Sequence, residues 1–421
     1  MFSVYPYTCF CNGYLYDKTC FGRWIMRSKV VHTDIIDDME DAVEEIREGF
    51  SDFVLCKNSM GVIFAEEDVE YEELYGELSK YWDFSFIGCT TMCMISGEGF
   101  LHGGISVMIM TGDDVNFSAG ITGRLTGENY KQELTDLYDR LSSELDDEVK
   151  LIYGYSDSIK SPGSISGQAI LNLMNEYSNG TLMFGGVASD DMDYSGSKIF
   201  FNGSVKEEAF VMAMISGNIE PKYVHVVSLD DRISPSYTIT RSDDNVVYKL
   251  GDYTLTEVLE REGFNTDKHD VLREYLQTPF LLTREVDGEK ITMARSISFI
   301  NHEDGSGVFL GEMPEGATLE IGYMNREYVK SSLDKAMNYL IKETQESDHE
   351  YSTTFCCSCI SRYLVLSNQI EGEADGWTKK LPEGISFMGM YSYGEVCPVR
   401  SDKTGKGYNA FHNITFTMMA V

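Results

Sequence analysis

Apolar runs that end in glycine, each followed by a methionine-rich apolar run, occur three times along the chain. Phe84–Thr91 ends in Gly88, Cys89, Thr90 and Thr91 and is followed by Ile105–Met110. Thr181–Ser189, which contains Gly185 and Gly186, is followed by Ala209–Ile215, and Ile385–Ser392 is followed by Ile414–Val421. Glycine at a strand end lets the backbone turn sharply or approach another group closely. Each copy has a prelude: a short strand (Phe53–Cys56, Leu151–Tyr155 or Thr353–Ser358), then a helix. The spacing Tyr71, Leu74, Tyr75, Leu78 predicts the first helix, Ile170, Leu173, Met174, Tyr177 the second, and residues 362–369 the third. The predicted unit is strand, helix, strand, glycine turn, strand, and recurrence of a whole unit is better evidence than any single match. Ile36, Met39, Val43 and Ile46 predict a further helix over 34–48, and amphipathic helices near 128–146 and 328–346 connect units.

From about 221 to 325 the pattern turns to strands: Tyr223–Leu229, Tyr237–Thr240, Asn245–Lys249, Ile291–Ile300, Val308–Glu312 and Thr318–Tyr323. Asp287-Gly288 reads as a hairpin turn, and Thr254 with Glu257 as a capping box. Gly217–Pro221 is the candidate boundary, and the acidic stretch 371–375 reads as a surface loop. The fold class is α/β: two domains with mixed sheets flanked by helices, built from internally repeated units.

Composition narrows the function. The chain has 421 residues, which favours two domains, and carries a net charge of −34 from 68 acidic and 34 basic residues. That charge opposes nucleic-acid and anionic-membrane partners, because phosphate is repelled. No apolar run reaches the ~18–20 residues of a membrane span. The aromatic, cysteine-rich start lacks the features of a secretion signal. The expected compartment is the cytoplasm, with the ten cysteines mostly free thiols.

Few motifs carry chemistry. There is no Walker loop, dinucleotide fingerprint, nucleophile elbow or zincin helix. Asp191–Gly196 imitates the start of a calcium loop, but its twelfth position is Asn202 rather than a bidentate glutamate. Cys356, Cys357 and Cys359 resemble half of a thiolate metal site and read better as buried strand cysteines. Asn413-Ile-Thr415 reads as polar residues entering the final strand. His412 is either a hydrogen-bonded structural residue or a ligand contact. Glu395, beside Tyr391 and Tyr393, is either a turn carboxylate or an acceptor for a ligand amine or hydroxyl.

Taken in order, Phe86–Thr91, Gly185–Asp190 with Phe201–Gly203, Cys359–Arg362, Tyr391–Glu395 and Phe411–Thr415 resemble the FIST family in its paired form, FIST-N followed by FIST-C. Asp243–Leu250 with Val258 and Leu259 is similar to the opening of FIST-C. The resemblance divides the chain into an N-terminal extension (1–31), a FIST-N-like domain (32–220) and a FIST-C-like domain (221–421). One departure is the Gly-Glu pair after the first turn, displaced here to Gly97-Glu98. The resemblance implies an intracellular sensor, not an enzyme. It would bind a small ligand, with amino acids often proposed, and signal in trans to a partner such as a histidine kinase. The implied ligand-binding residues are Thr90, Thr91, Gly185, Gly186, Ser189, Asp190, Cys359, Arg362, Tyr393, Gly394, Glu395, His412 and Asn413. Arg362 would clamp a carboxylate, or else sit in an ion pair with Asp190 or Glu395. The alternative is a haem-based nitric oxide sensor with His102, His412 or one of several cysteines as axial ligand, no spacing selecting one. An enzyme using Cys359 as a lowered-pKa nucleophile ranks below both. All of these place the three glycine turns around one hollow.

Overall fold

The computed structural model describes residues 10–11, 14–15, 26–157, 164–192, 196–227, 231–267, 275, 277–286, 288–367, 371–401 and 403–421. Three copies of one α/β unit follow one another. Unit 1 comprises strand Arg27–Thr33, helix Met39–Gly49, strand Asn58–Ala65, helix Tyr71–Leu78, glycine strand Phe86–Thr90, a hairpin (Met94–Ser96 with Gly99–Leu101) and strand Ile105–Gly112. Unit 2 repeats this order with Val115–Ile121, Tyr130–Ser143, Val149–Ser156, Gly167–Tyr177, Leu182–Val187, the hairpin Ile199–Phe201 with Ser204–Lys206, and Phe210–Gly217. Unit 3 opens with strand Lys222–Val227. After an insert it continues with helix Arg326–Gln345, strand Thr353–Cys359, helices Ile360–Leu366 and Glu371–Thr378, glycine strand Ser386–Ser392, the hairpin Glu395–Arg400 with Gly407–His412, and strand Thr415–Ala420. Three of these helices start where a side chain supplies a cap. Asp38 accepts from the amides of Glu40 and Asp41, Ser166 from Ala169, and Asn325 from Tyr328.

Each unit forms a mixed sheet in which the glycine strand runs parallel to its predecessor and the last strand runs antiparallel. The free side of each glycine strand is closed by a hairpin from a different unit. Unit 2's hairpin pairs with unit 1, unit 3's with unit 2, and unit 1's with unit 3. The exchange is cyclic. The three units are therefore intertwined. Phe64, Cys89, Tyr153, Tyr155, Phe355 and Met388 from the three inner faces share one core. The outer faces are covered by each unit's own helices.

The insert, between Lys222–Val227 and Arg326–Gln345, is a nine-stranded antiparallel sheet with its own core. That core takes in Val399 and Ala410 from unit 3's hairpin. The capping box at Thr254 and Glu257 is present and opens helix Leu255–Arg261. Strands Phe280–Val286 and Glu289–Arg295 pair across the expected hairpin, whose Asp287 lies outside the described residues.

Three expectations differ from the structure. The strand expected at Phe53–Cys56 falls at Asn58–Ala65, a longer run buried from Met60 onward. The stretch 371–375 is helical, and Glu373 within it is fully buried, because its charge is taken up inside the protein. Pairing of the first strand starts at Arg27, inside the stretch assigned to an extension. The end of the helix expected to reach residue 369 and residues 193–195 of the calcium-loop mimic lie outside the described residues.

Gly88, Gly185 and Gly389 hold equivalent places. A Cβ on them would lie 2.1 Å from the Ile63 carbonyl oxygen, 1.7 Å from that of Gly154 and 2.3 Å from that of Cys356. Gly185 also has a φ of 149°, which side chains disfavour. Gly185→Ala is expected to destabilise by roughly 3 kcal/mol or more in denaturant unfolding. Gly76→Ala, in a helix with nothing within 4 Å, is expected to be stabilising by up to about 1 kcal/mol.

Candidate ligand site

The ends of the glycine strands meet at one point. The Ser189 amide donates to the Thr90 carbonyl (3.3 Å), and the Tyr393 amide donates to the Val187 carbonyl (3.1 Å). At the third corner hydroxyls replace the amide. Thr91 Oγ1 and Ser189 Oγ both donate to the Tyr391 carbonyl, at 2.9 and 2.7 Å, and the Met92 amide donates to Ser189 Oγ. Thr90 Oγ1 accepts from the Lys198 amide. These groups are buried and satisfied by each other, so the turns interlock. Of the two cavities described, neither is lined by Arg362, Glu395 or His412.

Glu395 stands out against the other units. Register places it level with Met94 of unit 1 and Ile199 of unit 2, both wholly buried apolar residues. Its carboxylate accepts from Ser392 Oγ (2.9 Å) and Thr415 Oγ1 (2.7 Å). Burial pushes its pKa up to about 7, against the lowering effect of Thr415 and Ser392. Ile414, directly before Thr415, has a φ of 61°, a strained value for a β-branched residue. Gly186 packs beside this cluster, where a Cβ would lie 2.9 Å from the Gly394 carbonyl oxygen and 3.3 Å from Ser392 Cβ. A Cβ on Gly394 would strike the Phe411 ring.

The remaining predicted residues are placed as follows. Arg362 is fully buried and pairs with Glu373 (2.5 Å), not with Asp190 or Glu395, and also donates to Ser332 Oγ and the Val329 carbonyl. Tyr391 Oη donates to the other Glu373 oxygen at 2.6 Å. The carboxylate clamp expected of Arg362 is thus closed by an internal carboxylate. Asp190 accepts from the amides of Met192 and Gly196 and from the Tyr393 hydroxyl, bridging units 2 and 3. His412 Nε2 bonds the Cys397 carbonyl at 3.0 Å while its ring stacks on His225. Burial, then His225, lowers its pKa well below the ordinary value. Asn413 is buried, and its Oδ1 accepts from the Ser296 amide. Burial pushes the Cys359 thiol up to about 12, the reverse of what a nucleophilic thiolate needs.

Open space lies at the other end of unit 3's hairpin. A cavity of about 230 Å³ is walled by Asn175 of unit 2, by Arg284, Ile291 and Met293 of the insert, and by Lys406 and Tyr408 of the hairpin. Asn409 fixes this wall. Its amide donates to Asn175 Oδ1 and the Thr181 carbonyl, and its Oδ1 accepts from the Met183 amide. None of these residues was predicted. A readable signal nearby is Arg295, a charge within the otherwise uncharged run Ile291–Ile300.

Glu395→Gln is expected to change the pH profile of stability. The wild-type carboxyl has a folded pKa above the unfolded value of 4.5, so as pH rises from about 4.5 to about 7 the unfolded chain loses its proton first and stability falls. The difference between variant and wild type should move by about 3 kcal/mol in the variant's favour from acid to alkaline pH. Glu373→Ala, which strands a buried guanidinium, is expected to cost about 3–5 kcal/mol in denaturant unfolding.

The chain matches the FIST N domain over residues 59–252 and the FIST C domain over residues 254–398. It is also similar to the crystal structure of cyanuric acid hydrolase from A. caulinodans, at 6% identity and a TM-score of 0.39, with 94% of this chain and 99% of that chain covered. A second solved structure, described as cyanuric acid hydrolase and evolutionary innovation by structural concatenation, has 8% identity and a TM-score of 0.32, with the same shares covered. At those values neither likeness says anything about activity. No curated protein sequence matches the chain. The two domain matches lie in tandem and together span most of the sequence, and the protein therefore belongs to the FIST family, as a FIST N domain followed by a FIST C domain.

Proposed function

We propose that the protein is an intracellular sensor whose small ligand occupies the cavity between the insert, unit 2 and unit 3's hairpin, and that it signals in trans to a partner such as a histidine kinase. FIST domains are associated with sensory signalling and small-ligand binding. The observation that carries the reading is the place of the cavity. Its walls come from three parts of the fold, so a ligand there contacts all three at once. A ligand that favours one arrangement of those parts shifts their equilibrium, which is what sensing requires. The same hairpin reaches the central junction: Glu395 pairs with His412 at one end and Arg400 with Gly407 at the other, about 17 Å away at the rise of a strand.

The haem reading finds no support in the residues named for it. His412 is held by Cys397 and stacked on His225, and His102 packs against the edge of Phe100. Neither lines a described cavity, and the 230 Å³ cavity is lined by neither histidine nor cysteine. No helix among the described residues is long and apolar enough to cross a membrane.

A thermal-shift screen of metabolites against the full chain tests the proposal. A ligand at a hundred times its Kd is expected to add about 2.7 kcal/mol of stability. Val286→Trp, which fills the cavity, is expected to abolish that gain while leaving the unliganded melting transition near wild type. A ligand that stabilises both proteins equally would place the site elsewhere.

A further inference from the structure

The chain is strongly acidic, yet the cavity is walled by cations. Arg284 Nη1 reaches Glu312 Oε2 at 3.2 Å, and 29% of the Arg284 side chain remains accessible. Lys406 Nζ lies 5.0 Å from the centre of the Tyr408 ring, and no carboxylate pairs with it among the described residues. Arg295 stands next in sequence but one to the lining residue Met293, and is itself buried. Its guanidinium bonds only neutral acceptors: the Glu312, Ala294 and Phe411 carbonyls, Gln168 Oε1 and Met293 Sδ. Burial, and then the like charge of Arg284, hold Arg295 down at about 9. Of these three cations only Arg284 meets a carboxylate among the described residues.

From this we infer that the cavity takes a small organic anion, one oxyanion group on a short apolar body, held between Arg284 and Lys406. The inference rests on the cavity being the ligand site and adds the ligand's chemical class. An oxyanion between the two side chains gives Lys406 and the accessible end of the Arg284 guanidinium a shared acceptor and offsets the repulsion between Arg284 and Arg295; charge-assisted bonds of this kind are the strong ones. Val286, Ile291, Met293 and Ala410 offer the apolar wall for the body. At ~30 Å³ per water, the space corresponds to about seven or eight waters, which suits a body of a few carbons. Lys406 lies on the hairpin and Arg284 on the insert, so the anion ties these two parts together.

Calorimetric titration of the full chain with pentanoate, pentanamide and inorganic phosphate tests this. Pentanoate is expected to bind at least about tenfold more tightly than pentanamide, and Arg284→Gln and Lys406→Gln are each expected to weaken it about tenfold without moving the unliganded melting transition. Phosphate binding with the same dependence on both cations supports the inference and names phosphate as the favoured anionic group. If pentanamide binds as tightly as pentanoate and Val286→Trp removes both, the anion inference falls and the cavity stands as the ligand site. If pentanoate binding survives Val286→Trp, both readings fall. If neither pentanoate nor phosphate binds the wild type at millimolar concentration, the anion inference is overturned.

Discussion

The sheet of each of the three units is completed by a hairpin that belongs to another unit, and the rest of the fold follows from that exchange. A sheet edge left open at a buried glycine strand would strand its backbone donors and acceptors. The hairpins of units 1, 2 and 3 satisfy those of units 3, 1 and 2 respectively, so no unit is complete by itself. The exchange needs close backbone approach beside each hairpin, and Gly88, Gly185 and Gly389 permit it where any side chain would strike a neighbouring carbonyl.

The interlock uses up the centre. Thr91, Ser189 and Tyr391 spend their polar groups on one another, which leaves a closed, satisfied junction. Unit 3 departs from the repeat at this point, with Glu395 where the other units bury Met94 and Ile199. Its hairpin is also the long one, and its far end meets the insert rather than solvent. Space for a ligand therefore appears where the repeat is broken by the insert, not where the repeats converge.

Much of this was legible beforehand. The α/β class, the recurrence of the unit, the capping box at Thr254 and the β-rich insert all rest on local periodicity and turn chemistry, which a linear chain displays. So did the pairing of FIST N with FIST C. The placement of Phe53–Cys56 failed because a short apolar stretch looks the same whether it enters a sheet or only approaches one. Arg362 was legible as an ion-pairing residue, but its partner was misassigned. Glu373 lies in an acidic stretch that looks solvated, and only helix Glu371–Thr378 packing on helix Arg326–Gln345 buries it.

The chain's own order of residues determined which segments are strands and helices, where each glycine must allow close approach, and that the same unit is built three times. Those depend on neighbours within a few residues. Tertiary structure alone decided which hairpin completes which sheet, that Glu395 is buried with no cation against it among the described residues, and that Arg284 and Lys406 line one cavity. Arg284 and Lys406 are more than a hundred residues apart, and nothing between them records that the insert folds back onto the hairpin.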